Sequence, residues 1–351
     1  MTLFNAFSSC SSTSGAAELR ENDSPTTRAL QYAFDPAIDA AVDVAIGLGR
    51  PLLVAGEPGC GKTELGYAIA RRMKIDTLYF FAVKSSSEAG DLFYTYDAVG
   101  RFRKAQLAAV EAQSMRDKGL AYVEPQVGDF IKYQALGRAI LDAHPAAKVG
   151  HLLKGANHRP PPPAPRRSVV VIDEIDKAPR DFTNDLLREI EDLSFRVPEL
   201  LELEGKSDAT PAGAEIRPEH RPIIIVTSNE ESQLPDAFLR RCVFLALEFP
   251  KDNRLTEILD LHFGDGADGG RLKPEERQIL VTVFQSLRTN SLQKPPGVAE
   301  LIDAGRVLQA RPAAFGLRDW LPRMGPALIK LKADRAQFQA ALGAVRLPAT
   351  A

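Results

Sequence analysis

Gly56, Gly61, Lys62 and Thr63 stand at the spacing G-x-x-x-x-G-K-[ST] within RPLLVAGEPGCGKT. The spacing suits a loop whose backbone amides turn inward onto phosphate oxygens. Glycines at 56, 59 and 61 let main chain approach a ligand closely, and a helix N-terminus after the loop adds unpaired amides and a positive dipole end. On this reading Gly56, Glu57, Pro58, Gly59, Cys60, Gly61, Lys62, Thr63 and Glu64 line a nucleoside triphosphate, with Lys62 against the β and γ phosphates and the Thr63 hydroxyl on a magnesium ion. A glycine-rich turn with a solvated lysine is the plain alternative. The apolar, β-capable run Pro51 to Ala55 before the loop and the helix-compatible ELGYAIARRM after it favour the phosphate site.

Two further strand-like runs, SVVVI and IIIVT, lead into polar residues. Uninterrupted β-branched runs suit central strands of a parallel sheet, and residues at their carboxyl ends face the crevice where such sheets hold ligands, the edge the phosphate loop also occupies. Asp173 is therefore suited to hold the magnesium ion, directly or through water, and Glu174 to polarise the water that attacks the γ phosphate. Capping acids for the next helix are the alternative. Asn229, between Ser228 and Glu230, can orient the same water, or else serve as a turn residue satisfying local backbone. LPDAFLRRC then places Arg240 and Arg241 in a helix leading to a last strand. There a guanidinium reaches a neighbouring subunit's phosphates or makes an ordinary surface ion pair.

These residues need a scaffold, and 351 residues suffice for one large and one smaller domain. We expect a mobile tail over 1–27, a nucleotide-binding domain over 28–250 and a helical domain over 251–351. Asp35 and Pro36 open a helix over Ala33 to Leu48. Strands are expected at Pro51 to Ala55, Thr77 to Val83, Ser168 to Ile172, Ile223 to Thr227 and Val243 to Phe249. Between them lie a long, partly helical stretch to Ala143, an exposed proline-rich loop from His144 to Arg167, a core-facing helix from Arg180 to Leu193, and a hairpin from Phe195 to Arg221 around KSDATPAG. After Pro250 the pattern is helical: Arg254 to Phe263, Pro274 to Leu287, Val298 to Leu308 and Leu321 to Leu342.

Lys and Arg number 44 against 46 Asp and Glu, for a net charge of -2, so the whole chain gives no electrostatic reason to bind nucleic acid or an anionic membrane. No run approaches the roughly 20 apolar residues of a membrane span. Cys10, Cys60 and Cys242 lack metal-ligand spacing and fit a reducing compartment, so a cytoplasmic setting is expected.

The phosphate loop, VVVIDEID, IIIVTSNE and LPDAFLRRC, in this order, resemble the AAA+ ATPases. RPLLVAGEPGCGKTELGYAIA, GDLFYTYDAVGRF, IDEIDKAPRDF and TSNEESQLPDAFLRRC are similar in phrasing to the MoxR branch, over about residues 30 to 345. The resemblance implies an α/β fold: a P-loop αβα core on a five-stranded parallel sheet, with insertions in helix 2 and before sensor 1, followed by an all-helical lid. It makes Gly56 to Thr63 the Walker A motif, Asp173 and Glu174 Walker B, Asn229 sensor 1, and Arg241 the arginine finger with Arg240 as its fallback. A sensor 2 arginine is absent from its usual place, where KPPGVAEL has Val298; neither Lys294 nor Arg306 matches well, and sensor 2 stays unassigned.

By the same resemblance the cofactors are ATP and Mg2+, the assembly is a homo-oligomeric ring of six, and the activity is ATP hydrolysis coupled to chaperone-like remodelling of protein partners, often with von Willebrand factor A domains. The phosphate motif itself does not read the base. A DNA-handling motor and a nucleotide-gated scaffold with little turnover are the rival readings. The first lacks a basic stripe with interleaved aromatics, and the second is opposed by an intact Lys62, Asp173, Glu174, Asn229 and Arg241.

Overall fold

The computed structural model describes residues 32–118, 126–153, 158–160, 162–201, 216–229, 234–264, 272–289, 292–311 and 315–344. The tail over 1–27, the KSDATPAG tip and Glu230 lie outside them. Helix α1 (Pro36–Leu48) starts as its sequence dictates, with the Ile38 amide donating to Asp35 Oδ1 at 2.8 Å. Strand β1 (Leu52–Ala55) is buried throughout and turns into α2 (Lys62–Arg72); β2 (Leu78–Ala82) follows. The long stretch to Ala143 contains β3 (Tyr94–Tyr96), α3 (Ala98–Asp117), β4 (Ile131–Tyr133) and α4 (Ala135–Asp142). β3 and β4 pair antiparallel, with Tyr94 opposite Tyr133. This small sheet is not foreseen, because three-residue strands are too short for alternation to show.

β5 (Val169–Asp173), α5 (Arg180–Asp192), β6 (Ile223–Ser228), α6 (Asp236–Leu239) and β7 (Val243–Ala246) complete the α/β part. The five longer-range strands form one sheet in the order β2-β5-β6-β1-β7. β5 lies parallel between β2 and β6, with Val170 beside Tyr79 and Ile224. β7 joins β1 through Val243 N to Pro51 O and Leu247 N to Ala55 O. This is the expected five-stranded parallel sheet with flanking helices. Among the described residues after Pro250 are α7 (Asp252–Phe263), α8 (Pro274–Thr289), α9 (Val298–Gln309) and α10 (Arg335–Ala344).

Two compact units are distinguished. One comprises Ala40–Leu53 and Arg72–Phe244; the other takes in Val54–Arg71 and Leu245 onward, with the described residues 32–39. In the first, Leu53, Val170, Ile172, Leu186, Val226 and Phe238 share a buried core. In the second, Leu259, Phe284, Leu301, Met324 and Phe338 do so.

Two expectations give way. A single helix over Leu321 to Leu342 is replaced by short pieces, because Pro322 and Pro326 each remove an amide donor and Ile329 turns extended before Arg335 opens α10. The exposed loop expected from His144 to Arg167 gives way in its first half, where Ala146–Val149 and Gly150–Leu153 are short helical turns with Val149, Leu152 and Leu153 buried. Arg159, Pro160, Pro163, Ala164 and Arg167 are exposed as expected yet tied down. His144 is fully buried, Arg138 of α4 donates to the carbonyls of Arg159 and Pro160, and Arg166 pairs with the buried Asp142 at 3.1 Å. Arg166 and Tyr79 donate to Asp142 Oδ2 and Arg138 lies 3.1 Å from Oδ1, which offsets part of the cost of burying the carboxylate.

Candidate active site

The phosphate loop is built from glycines where the backbone demands them. Gly59 and Gly61 have φ of +78° and +96°, a region that side chains rarely enter, and a Cβ on Gly56 would lie 2.5 Å from the Leu247 carbonyl oxygen. Lys62 opens α2 and is 7% exposed; its ammonium donates to the carbonyls of Gly56 at 2.8 Å and Glu57 at 2.9 Å. The loop is therefore folded around its own lysine. Burial pushes the Cys60 thiol up despite the neighbouring Lys62, so it stands as a protonated, inert packing group.

The loop is also fastened from the helical part of its own unit. Val298 N, at the start of α9, donates to Gly59 O, and Gly297 packs so close that a Cβ on Gly59 would meet its Cα at 3.3 Å. Arg288, near the end of α8, reaches Glu57 Oε2 at 2.8 Å. Tyr32 lies against Gly61, and burial raises its phenol pKa.

In the other unit the end of β5 is organised by its neighbour β6. Thr227 Oγ1 donates to Asp173 Oδ1 at 2.7 Å and accepts the Glu174 amide at 2.9 Å. Glu174 takes a left-handed backbone, φ 59° and ψ 53°, which turns the chain sharply at the strand end. Such strain, costing about 1–3 kcal/mol, persists where surroundings enforce it, often at functional positions. The Glu174 carboxylate is held by Lys177, whose pKa is raised chiefly by that hydrogen bond. Asn229 is held at both ends by Asp176: its amide donates to Oδ1 at 2.9 Å and its Nδ2 to Oδ2 at 3.2 Å. Asp173, Glu174 and Asn229 thus come together at adjacent strand ends.

No group of three or more His, Cys, Asp and Glu side chains among the described residues is arranged to hold a metal by itself. Magnesium does not require one, since it keeps several waters and takes one or two protein oxygens together with substrate phosphates. Asp173, with one carboxylate oxygen fixed by Thr227, is a hard oxygen donor of the kind that fits, as is the Thr63 hydroxyl.

Arg240 caps α6, and Arg241 lies in the turn beyond it rather than within a helix. Arg241 Nε pairs with Glu191 of α5, and both side chains are about half exposed. They line a cavity of about 80 Å³ with Arg50, Arg221, Phe238 and Cys242; burial pushes the Cys242 thiol up to about 12. Arg306 pairs with Asp303 one turn away, and the Lys294 amide donates to Asp334 Oδ2.

Sequence reasoning missed Thr227, Asp176, Lys177 and Arg288. Thr227 reads as one more β-branched strand residue, and Asp176 as a spare acid in IDEID. Arg288 could be found only by knowing where α8 packs.

No curated protein is a significant sequence match. Among solved structures, a single-substitution variant of Thermotoga maritima RuvB is 14% identical, with a TM-score of 0.39. The Thermotoga maritima RuvB Holliday junction branch migration motor is also 14% identical, with a TM-score of 0.40. In both cases 86% of this chain is covered, and it spans 66% of the other, just under two thirds. The model of the AAA domain (dynein-related subfamily) matches residues 51–242, more than half the chain, from the strand before the phosphate loop to Cys242 beside Arg241. The chain belongs to this family of AAA+ ATPases.

Proposed function

We propose that the chain hydrolyses ATP with Mg2+ as a ring of identical subunits, six by its MoxR-like phrasing, and uses the cycle to remodel or mature a protein partner, a von Willebrand factor A domain protein being the implied class. A cytoplasmic setting belongs to the same reading; no helix among the described residues is long and apolar enough to cross a membrane. The observation that carries the hydrolytic part is the bracing of Asp173 and Glu174 by Thr227 and of Asn229 by Asp176. In phosphoryl transfer the protein contributes mainly position and charge, so fixed carboxylates and a fixed amide are what the chemistry needs.

In this reading the amides of Gly59 to Thr63 and the Lys62 ammonium bind the phosphates. Asp173 and Thr63 are the oxygen donors that would hold Mg2+, which would supply positive charge against the phosphates. Glu174, once off Lys177, accepts a proton from the attacking water, which Asn229 orients. Arg241 serves the subunit next door, with Arg240 the alternate.

Turnover of the purified protein, with and without single-stranded or duplex DNA, tests the proposal. The expected result is ATP hydrolysis that DNA does not stimulate and that partner proteins recovered with a hydrolysis-dead variant do. Strong stimulation by DNA would establish a motor instead, and no turnover even with recovered partners would establish a nucleotide-gated scaffold.

A further inference from the structure

Arg288 is placed by contacts that do not involve the phosphate loop. Its guanidinium carbon lies 3.4 Å from the Phe249 ring centroid, and Nη1 donates to Pro296 O at 2.9 Å. The side chain is 22% exposed, whereas Glu57, to which Nη2 donates at 2.8 Å, is 57% exposed. The arginine is thus the fixed partner and the glutamate the movable one. Stacking on an aromatic face and a planar fork are what arginine offers and lysine does not.

Glu57 needs holding because of where its backbone lies. The Lys62 ammonium already rests on the Glu57 carbonyl at 2.9 Å. A free Glu57 carboxylate has the reach to swing onto the same ammonium, and a carboxylate is a far stronger partner for it than a neutral carbonyl. Lys62 would then be occupied by an internal anion in direct competition with the β and γ phosphates. A loop that binds a polyanion while carrying its own carboxylate must keep that group elsewhere.

We propose that Arg288 is a positioning residue for the phosphate loop, which sequesters the Glu57 carboxylate and so leaves Lys62 available to nucleotide. The inference rests on the nucleotide-binding reading above. It differs from an arginine that touches phosphate, because Arg288 acts only through Glu57: its loss matters when Glu57 is acidic and not otherwise. An exposed ion pair between two flexible side chains would carry little weight, but here one partner is immobilised in advance.

The test is affinity for a fluorescent ATP analogue with Mg2+, measured on the full chain and on Arg288→Ala, Glu57→Gln and the double variant, with thermal melting of each. Arg288→Ala is expected to weaken binding about tenfold, the scale of a close charge pair in the nearly aqueous setting of the half-exposed Glu57, while the double variant binds within about twofold of Glu57→Gln. Should loss of the Phe249 and Pro296 contacts unfold Arg288→Ala, Arg288→Gln retains a donor toward Pro296 O without the charge, and the same pattern is expected of it. An equal loss in both Glu57 backgrounds, or no loss in the first, overturns the inference. Failure of the parent chain itself to bind the analogue removes the nucleotide reading along with it, whereas binding by the parent with an additive cycle removes the inference alone.

Discussion

Lys62 holds two carbonyls of its own loop, so an arriving triphosphate must draw the ammonium from neutral acceptors to a charged one. Lys62→Ala is therefore expected to abolish nucleotide binding, read by titration with a fluorescent analogue. Glu174→Gln should bind normally and hydrolyse about 100- to 10,000-fold more slowly, the usual weight of a general base; near-normal turnover would take Glu174 out of that role. Asp176→Ala should resemble it, with binding kept and turnover down by about 100-fold, because losing both anchors of Asn229 shifts the water it orients. Asp173, Glu174 and Asn229 stand out in the sequence as candidates because polar residues interrupt β-branched runs where a strand must end. Thr227 and Asp176 do not. A hydroxyl that braces a carboxylate on the next strand is visible only once the register sets Ile172 beside Val226.

At the scale of elements, the buried strands announced themselves by continuous apolar runs, and α1 by its aspartate and proline. What failed to show was structure held by distant partners. The three-residue strands β3 and β4 exist because they pair with each other, and the chain after His144 is pinned by Arg138 of an earlier helix. The loop's dependence on glycine gives a direct expectation: Gly59→Ala should cost roughly 1–2 kcal/mol in a urea melt, from its left-handed backbone, and more if Gly297 cannot withdraw. The helices carry a pH response as well. Burial, aided by Arg306, lowers His262 of α7 to about 4. A base whose folded pKa lies below its unfolded value stabilises the fold only while neutral, so this contribution is present above about pH 6.5 and declines as pH falls from there toward 4. Urea midpoints should drop over that window, and less steeply in His262→Gln.

At the scale of the assembly, Arg241 decides between a ring and a self-sufficient subunit. A finger supplied from outside contributes about three to five orders of magnitude to phosphoryl transfer, whereas the Glu191 pair alone, half exposed, would matter little. Arg241→Ala should therefore bind nucleotide yet not turn it over. Mixing it with Lys62→Ala subunits should restore part of the activity, since some intact loops then sit beside intact arginines. No recovery in oligomers shown to exchange subunits would pass the role to Arg240.

The fastening of the phosphate loop has a consequence for how the molecule is made. Glu57 and Arg288 are 231 residues apart, and Gly59 waits on Val298 in the same way. During synthesis the loop leaves the ribosome long before the helices that hold it, at a pace of about 5–20 residues per second. For about 10 to 50 s the nascent chain carries the phosphate loop and none of the packing from α8 and α9 that fastens it. A ribosome-bound or truncated chain ending at Pro250 is accordingly expected to bind nucleotide poorly, and limited proteolysis should cut it near Glu57 where the full chain resists.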